Sequence, residues 1–490
     1  MNLLNQITTV SLLLAGISPT SRTGQKPNII YILADDLGYG DVHCLNPERG
    51  KIATPNMDKL ASEGMIFTDT HSSSSVCSPT RYGILTGRYS WRTYLQSGVL
   101  TGYSEPLIDA NRLTVPALLK KHGYTTACIG KWHLGMGITE GEPSPHITNG
   151  PTTRGFNSYF GISASLDMPP FAFIENDHFT EPMTTTKTWL RTGPASEGFE
   201  ALDVLPTLTQ KAVEYISKQA KTGKPFFLYL PLTSPHTPIL PTNEWKGKSG
   251  ISPYGDFVMQ TDWALGQVLD ALEKEGIRNN TLIIFTSDNG CSKAANIKEL
   301  QSKGHYPSAE FRGSKSDLWD GGHRIPFIVR WPATVAPGSK CSQLFCLTDL
   351  MATCADLVGT QLPDNEGEDS FSFLQVLKGK PIVSDRAGVI HHSIEGYFSY
   401  RQGKWKLLLS KGSGGWSSPT EKEVTDSIPV TQLYDLEKDP GETNNLYNEH
   451  PEIANQLIKQ LESDVQRGRS RSGSDVKNDI DKIVLWKNNK

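Results

Sequence analysis

Residues 28–36 read NIIYILADD: an asparagine, six residues without a charge, then two carboxylates side by side. The run from Ile29 to Ala34 is continuously apolar rather than alternating, which is the pattern of a strand buried on both faces, as in a parallel sheet. Four further runs share this texture: TTACIGKWH from Thr125, PFFLYLPLTSPH from Pro225, TLIIFTSDNG from Thr281 and IPFIVRWP from Ile325. Helical segments separate them. TPNMDKLASEG places Thr54 as cap, Pro55 at the first helical position and Gly64 as the stop; TVPALLKKHG repeats this with Thr114, Pro116 and Gly123. DFVMQTDWALGQVLDALEKEG, from Asp256 to Gly276, predicts a longer amphipathic helix. Strand and helix in alternation define an α/β layered domain with a mostly parallel central sheet flanked by helices.

Beyond about residue 370 the texture changes. GYFSYRQGKWKLLLS and TQLYDLEKDPGETNNL predict short strands and turns, with the Gly/Ser-rich KGSGGWSSPT between them. EIANQLIKQLESDVQRG, from Glu452, predicts a last amphipathic helix, and the polar residues from about Ser470 are expected to be loosely held. The expected organisation is therefore an export signal at 1–22, a catalytic α/β domain at 23–370, and a smaller C-terminal subdomain of antiparallel sheet plus helix at 371–490.

Bulk composition narrows the function classes. The chain has 490 residues, more than one core usually holds, and a formal charge of only −4. With no basic run interleaved with aromatics, nucleic acid is excluded as a partner. No apolar run is long enough to span a bilayer. MNLLNQITTVSLLLAGISPTS has a short apolar segment followed by small polar residues, as a signal peptide does, which predicts a periplasmic or secreted protein. Seven cysteines in this length are no disulfide scaffold, and Cys341, Cys346 and Cys354 have no histidine among them, so small buried hydrophobes or a single bridge are expected there, not zinc.

Ligands of open α/β sheets bind just beyond the carboxyl ends of the strands. Four of the five runs end in groups that do chemistry: Asp35 and Asp36, Lys131 and His133, His236, and Asp288 with Asn289. Asp-Asp-x-Gly alone serves turn geometry. Combined with Asp-Asn-Gly at a second strand end, it forms an all-oxygen set that suits calcium, or less well magnesium. In HSSSSVCSPTR, Ser78 and Pro79 suit a helix start, which puts Cys77 among outward-pointing N–H groups. That placement predicts a depressed thiol pKa, with Arg81 one turn on folding back toward it.

Cys77-Ser78-Pro79-Thr80-Arg81, continued by Gly87 and Arg88, resembles the Cys-x-Pro-x-Arg signature of type I sulfatases. NIIYILADDLGYGD, GKWHLG, SPHTP, TSDNG, FRGSKSDLWDGGHRIP and QLYDLEKDPGETNNL resemble that family's other segments, so the likeness covers nearly the whole mature chain; it resembles the carbohydrate sulfatases, including the N-acetylgalactosamine-6-sulfatase-like branch. The resemblance implies an alkaline-phosphatase-like fold. It implies that a maturation enzyme oxidises Cys77 to formylglycine (3-oxoalanine). The hydrated gem-diol then attacks sulfur, giving a covalent sulfo-enzyme intermediate. By position, Asp35, Asp36, Asp288, Asn289 and modified Cys77 hold calcium. Arg81 and Lys131 hold and polarise the nucleophile and the sulfate oxygens. His133 is the base that breaks down the intermediate, and His236 and Lys315 bind sulfate and help protonate the leaving oxygen. Ser165, with Ser163 as the other choice, and Trp319, Asp320, His323, Arg324 and Asp167 are expected in the substrate pocket. His391 and His392 are equally readable as a structural pair or as substrate contacts.

The implied substrate is a sulfated polysaccharide or its oligosaccharides, with specificity in loops such as LDMPPFAFIENDH and EGFEAL. Two other readings are consistent with the motifs. One is a phosphodiester or phosphonate monoester hydrolase of the same superfamily. The other is an inactive relative that binds sulfated glycan, although every motif position is intact.

Overall fold

The computed structural model describes residues 26–381, 386–425 and 429–487; the expected export signal lies outside them. Asn28–Ala34 forms the centre of a ten-stranded sheet, parallel to Phe226–Pro231 on one side and to Thr281–Ser287 on the other. Its side chains divide as a doubly buried strand requires. Ile29, Tyr31 and Leu33 enter one apolar core, and Ile30, Ile32 and Ala34 enter the core on the opposite face. Thr125–Lys131 and Ser158–Ile162 continue the parallel arrangement outward. Phe327–Arg330, the fifth apolar run, pairs antiparallel with Thr281–Ser287. Continuous apolarity reports burial of both faces and leaves strand direction undetermined.

The helices Ala201–Ala220 and Pro253–Lys274 cover one face, while Cys77–Thr86, Val115–Lys121 and Leu350–Val358 cover the other. The Pro253–Lys274 helix begins three residues earlier than the sequence pattern implied, because Ser252 caps it by accepting from the Gly255 amide at 3.1 Å. EGFEAL, expected as a pocket loop, instead runs into the start of the Ala201–Ala220 helix. Thr114 caps its helix as expected, accepting from the Ala117 amide, whereas Thr54 makes no such bond and receives the His43 amide instead.

The second sheet has four antiparallel strands, Val389–His392, Phe398–Gln402, Trp405–Leu408 and Gln432–Asp435, covered by the helix Pro451–Gln466. It shares its core with Tyr89 and Trp91 of the large layer. Phe373, Leu374, Val376 and Leu377 still belong to the first core, so the change of sheet falls at Val389. The segment 470–487 is not loose. Asp479 makes a two-point pair with the buried Arg88 guanidinium at 2.9 and 3.0 Å, Asn478 accepts from Arg92, and Leu485 enters the small core. Polar composition predicted looseness because its partners, two buried arginines, are nearly 400 residues away in sequence. All seven cysteines are free thiols, and Cys341, Cys346 and Cys354 are buried, as small hydrophobes.

Candidate active site

The carboxyl ends of the central strands meet the first turn of the helix Cys77–Thr86. Asp35 and Asp36 follow the first strand, Asp288 and Asn289 follow Thr281–Ser287, and Lys131 closes Thr125–Lys131. The chain can turn here because Asp36 and His133 both adopt left-handed backbone, at φ 67° and 59°. Such values in non-glycine residues cost energy and cluster at functional sites.

Three carboxylates are held by three cations. Lys131 Nζ lies 2.6 Å from Asp35 Oδ2, and Lys315 Nζ lies 2.6 Å from Asp36 Oδ1. Arg81 donates through Nε and Nη2 to Asp288 Oδ2 at 3.0 and 2.7 Å, while its Nη1 donates to the Lys131 carbonyl. Arg81 therefore braces the neighbouring strand ends more than it folds back on residue 77. Cys77 Sγ sits 3.6 Å from Asp35 Oδ1 and 3.5 Å from Lys315 Nζ. His236 brings Nε2 to 3.7 Å from Asp36 Oδ2, with Nδ1 donating to the Thr237 carbonyl.

Burial dominates the titration of this site. It pushes the Cys77 thiol up to about 12, with Lys131 and Lys315 pulling the other way and Asp288 and Asp35 adding to the rise. The depressed thiol expected from a helix N-terminus is thus overturned: complete burial beside two carboxylates outweighs the cations. Burial also raises Asp35, but Lys131, His236, Arg81 and Lys315 outweigh it and hold that carboxyl well below its usual range. Asp288 goes the other way, raised by burial and by the charge of Asp35. Burial, then Lys131 and Arg81, hold His133 well below the usual histidine range. Its Nε2 can only donate to the Leu100 carbonyl at 2.8 Å, which leaves Nδ1 as a bare acceptor without a protein partner.

The donor chemistry fits a hard divalent cation. Ligand atoms of Asp35, Asp36, Cys77 and His236 lie within 4.8 Å of one another. Asp288 and Asn289 adjoin them, through Asp288 Oδ1 accepting the Asp36 amide and Asn289 Nδ2 donating to Asp36 Oδ1. Asn289 Oδ1 is buried with no hydrogen-bond partner, an oxygen left over in a ring of oxygens.

A cleft of about 350 Å³ opens over this cluster, lined among others by Cys77, His133, His236, Lys315, Ser165 and Asp167. Trp319, Asp320, His323 and Arg324 do not line it, contrary to expectation. Trp319 Nε1 donates to Gln432 Oε1, Asp320 pairs with Lys406 at 2.7 Å, and His323 bonds His71 at 2.9 Å. Arg324 is held by the Thr68 carbonyl, Asp320 and Asp69. These residues weld the Lys315 loop to the C-terminal sheet, and nearness to an active lysine in sequence did not carry over into space. His391 and His392 are likewise buried outside the cleft, where the His392 carbonyl receives the Ser75 amide at 3.0 Å and so steadies the loop before Cys77. The cleft also includes Arg191, Lys293 and Trp416, which the sequence did not single out. Trp416 arrives from the Gly/Ser-rich segment, pinned by its amide to Ser316 and Asp317, so the second sheet's loops complete the site.

A buried thiol beside lysines, at the oxygen-rich end of a mostly parallel sheet and under a cleft, suits an anionic ligand. The sulfatase family model matches residues 27–360, and the chain belongs to that family. It is a sulfuric ester hydrolase. It is 34% identical to the N-acetylgalactosamine-6-O-sulfatase of Bacteroides thetaiotaomicron, over 90% of this chain and 94% of the relative. Human arylsulfatase A is 32% identical over 92% and 90%. A solved Bacteroides thetaiotaomicron sulfatase of glycosaminoglycan metabolism superposes with a TM-score of 0.80 at 32% identity, covering 90% of this chain and 99% of that one.

Proposed function

We propose that this enzyme removes sulfate from a sulfated carbohydrate, with oxidised Cys77 as the nucleophile. The observation that carries the reading is the position of Cys77, buried at the first turn of its helix between Asp35 and Lys315 and facing a cleft. A thiol raised to about 12 is a poor nucleophile as it stands. Membership of the sulfatase family supports the formylglycine form of this side chain, whose hydrate supplies two hydroxyls, and with it a maturation enzyme. Asp35, Asp36, Asp288, Asn289 and residue 77, with His236 adjacent, would hold calcium, which supplies a Lewis acid that orients the nucleophile.

The chain's own groups divide the remaining work. Lys315 and His236, which line the cleft, offer donors to sulfate oxygens, and Lys131 behind them adds fixed positive charge through its pair with Asp35. Arg81 holds two strand ends in register. His133, neutral and with Nδ1 bare, accepts the proton that must leave residue 77 when sulfate is expelled. Carbohydrate is favoured as substrate by the likeness to an N-acetylgalactosamine-6-O-sulfatase.

The test is mass analysis of the tryptic peptide containing residue 77, from protein produced alongside a maturation enzyme, together with desulfation of singly sulfated saccharides. An aldehyde-reactive peptide and released sulfate are expected. An unaltered thiol in fully active protein would overturn the nucleophile.

A further inference from the structure

One wall of the cleft carries an acid that the sulfate chemistry does not use. Asp167 is only 7% exposed, and Arg191 Nη1 occupies its Oδ2 at 2.5 Å. Its other oxygen, Oδ1, is buried and has no hydrogen-bond partner. A buried carboxylate oxygen without a donor is unfavourable, so this one calls for a donor. Asp167 lines the cleft, so the donor comes from whatever fills it. A sulfate group at neutral pH has no proton to give, so the donor belongs to the part of the substrate that bears the sulfate.

Arg191 decides which donor it is. Its side chain is 53% exposed and still has free N–H groups beside the carboxylate. A carboxylate oxygen next to a guanidinium presents one acceptor and one donor together. An alcohol O–H satisfies both, because it donates and accepts; an amide N–H satisfies only the carboxylate. The pair is also built rather than incidental. Arg191 follows the turn of the hairpin Thr185–Trp189/Arg191–Ala195, where Leu190 is held at φ 69° and is 70% exposed. The hairpin is fastened to the Asp167 loop by the Phe171 amide on the Pro194 carbonyl at 2.9 Å and by an edge contact between Phe171 and Trp189. A bulky residue held in left-handed backbone and left in solvent at a cleft wall is uncommon, and such strain clusters at functional sites.

We infer that Asp167 and Arg191 are the specificity determinants that read a free hydroxyl on the same sugar ring as the scissile sulfate, while the exposed Leu190 packs on that ring's C–H face. The inference rests on the sulfatase reading and names the feature of the substrate that the site selects.

The experiment measures kcat/KM for the matured enzyme on 4-methylumbelliferyl sulfate, which has no ring hydroxyl, and on singly sulfated galactose, glucose and their N-acetylated amino sugars. For Asp167→Asn, the ratio of saccharide to aryl activity is expected to fall about 10- to 100-fold, the value of one charged hydrogen bond. Arg191→Lys, at a half-exposed position that leaves the fold unchallenged, should lower the same ratio less. Monodeoxy forms of the best saccharide complete a cycle: one of them should cost the wild type as much as the Asn substitution does, and cost the variant little more. Equal loss on aryl and saccharide esters, or identical behaviour of every deoxy form in both enzymes, overturns the inference. So does hydrolysis of the aryl ester with none of the saccharides, although that result leaves the sulfatase reading standing. Failure on every sulfate ester sinks the sulfatase reading itself.

Discussion

Two buried clusters of ionisable side chains lie on either side of the segment 71–77, and they differ in what their unmet groups face. Around Cys77 each carboxylate has a cation, yet polar atoms remain without partners: Asn289 Oδ1, His133 Nδ1, Ser165 Oγ and Asp167 Oδ1. All but the first belong to residues lining the cleft. Around His323, Lys406 is bonded by Asp320 and by Glu442, both at 2.7 Å; the Glu442 carboxylate also receives the Asp320 amide; and His323 stacks on His391 with centroids 3.7 Å apart. The second cluster has the composition of a metal or catalytic site, and His71, His323 and His391 come within ligating distance of one another. Its charges are paired within the protein and sealed from solvent, and the polar atom it also leaves without a partner, His391 Nε2, belongs to a residue that does not line the cleft. A functional cluster shows itself by unmet valence facing a cleft, and composition alone is a poor guide.

Substitutions should therefore separate the clusters, the first losing turnover and the second losing stability. Cys77→Ala is expected to lower kcat on an aryl sulfate by roughly 10⁴-fold or more, as removal of a nucleophile does. Its thermal unfolding should change by only about 1 kcal/mol, because no partner is left stranded. Turnover within tenfold of wild type would break the comparison on its first arm. His133→Gln is next, with a loss of about 10²- to 10⁴-fold, since the amide can still donate to the Leu100 carbonyl but cannot take up a proton. Because burial and two cations depress His133, its neutral form should persist in mildly acidic solution, and any limb it contributes to the kcat/KM profile lies below pH 6.5. A limb above that value that disappears in the Gln variant would contradict the assignment.

In the closed cluster, Lys406→Met removes the cation between Asp320 and Glu442, both of which stay buried, leaving Asp320 its longer contact to Arg324 and Glu442 unpaired among the described residues. Leaving buried charge unpaired costs about 3–5 kcal/mol, to be read from denaturant midpoints. Glu442, already pushed up to about 7 by burial, would take up a proton to limit that loss. A variant as stable as wild type but catalytically dead would mean that the cluster belongs to the active site after all.

Much of this was legible in the sequence. Each apolar run from Ile29, Phe226 and Thr281 became a central strand, and each delivered its polar ending to the same edge, because a parallel sheet places all carboxyl ends together. The Cys77 helix was readable from local start signals. What failed depended on contacts distant in sequence. Whether Asp320 faces substrate or a lysine is decided by Lys406, 86 residues on and in the other sheet. The thiol pKa was misjudged because a helix terminus is a local feature, whereas burial is set by the whole fold. Arg191 and Trp416 left no signal, since one sits in a short exposed hairpin and the other in a Gly/Ser-rich loop, where neither periodicity nor capping marks a side chain.

The smallest expected effect concerns pH, and it sharpens the comparison without touching catalysis. His392 is held down to about 3, chiefly by burial and then by Lys487, and burial also lowers His71, His323 and His391. Each is neutral in the folded protein, whereas in the unfolded chain each titrates near 6.5. Below that pH the unfolded state binds more protons, so stability must fall as the solution is acidified. For His392 alone the slope approaches about 1.4 kcal/mol per pH unit between 6.5 and its folded value. Urea midpoints measured from pH 7 to pH 5 should therefore drop in wild type and drop less in His392→Phe, whose ring can keep the contact with Phe398 but takes up no proton. Parallel curves for the two proteins would show that His392 is protonated in the fold, and its surroundings beside Phe398 would then be less sealed than their geometry implies.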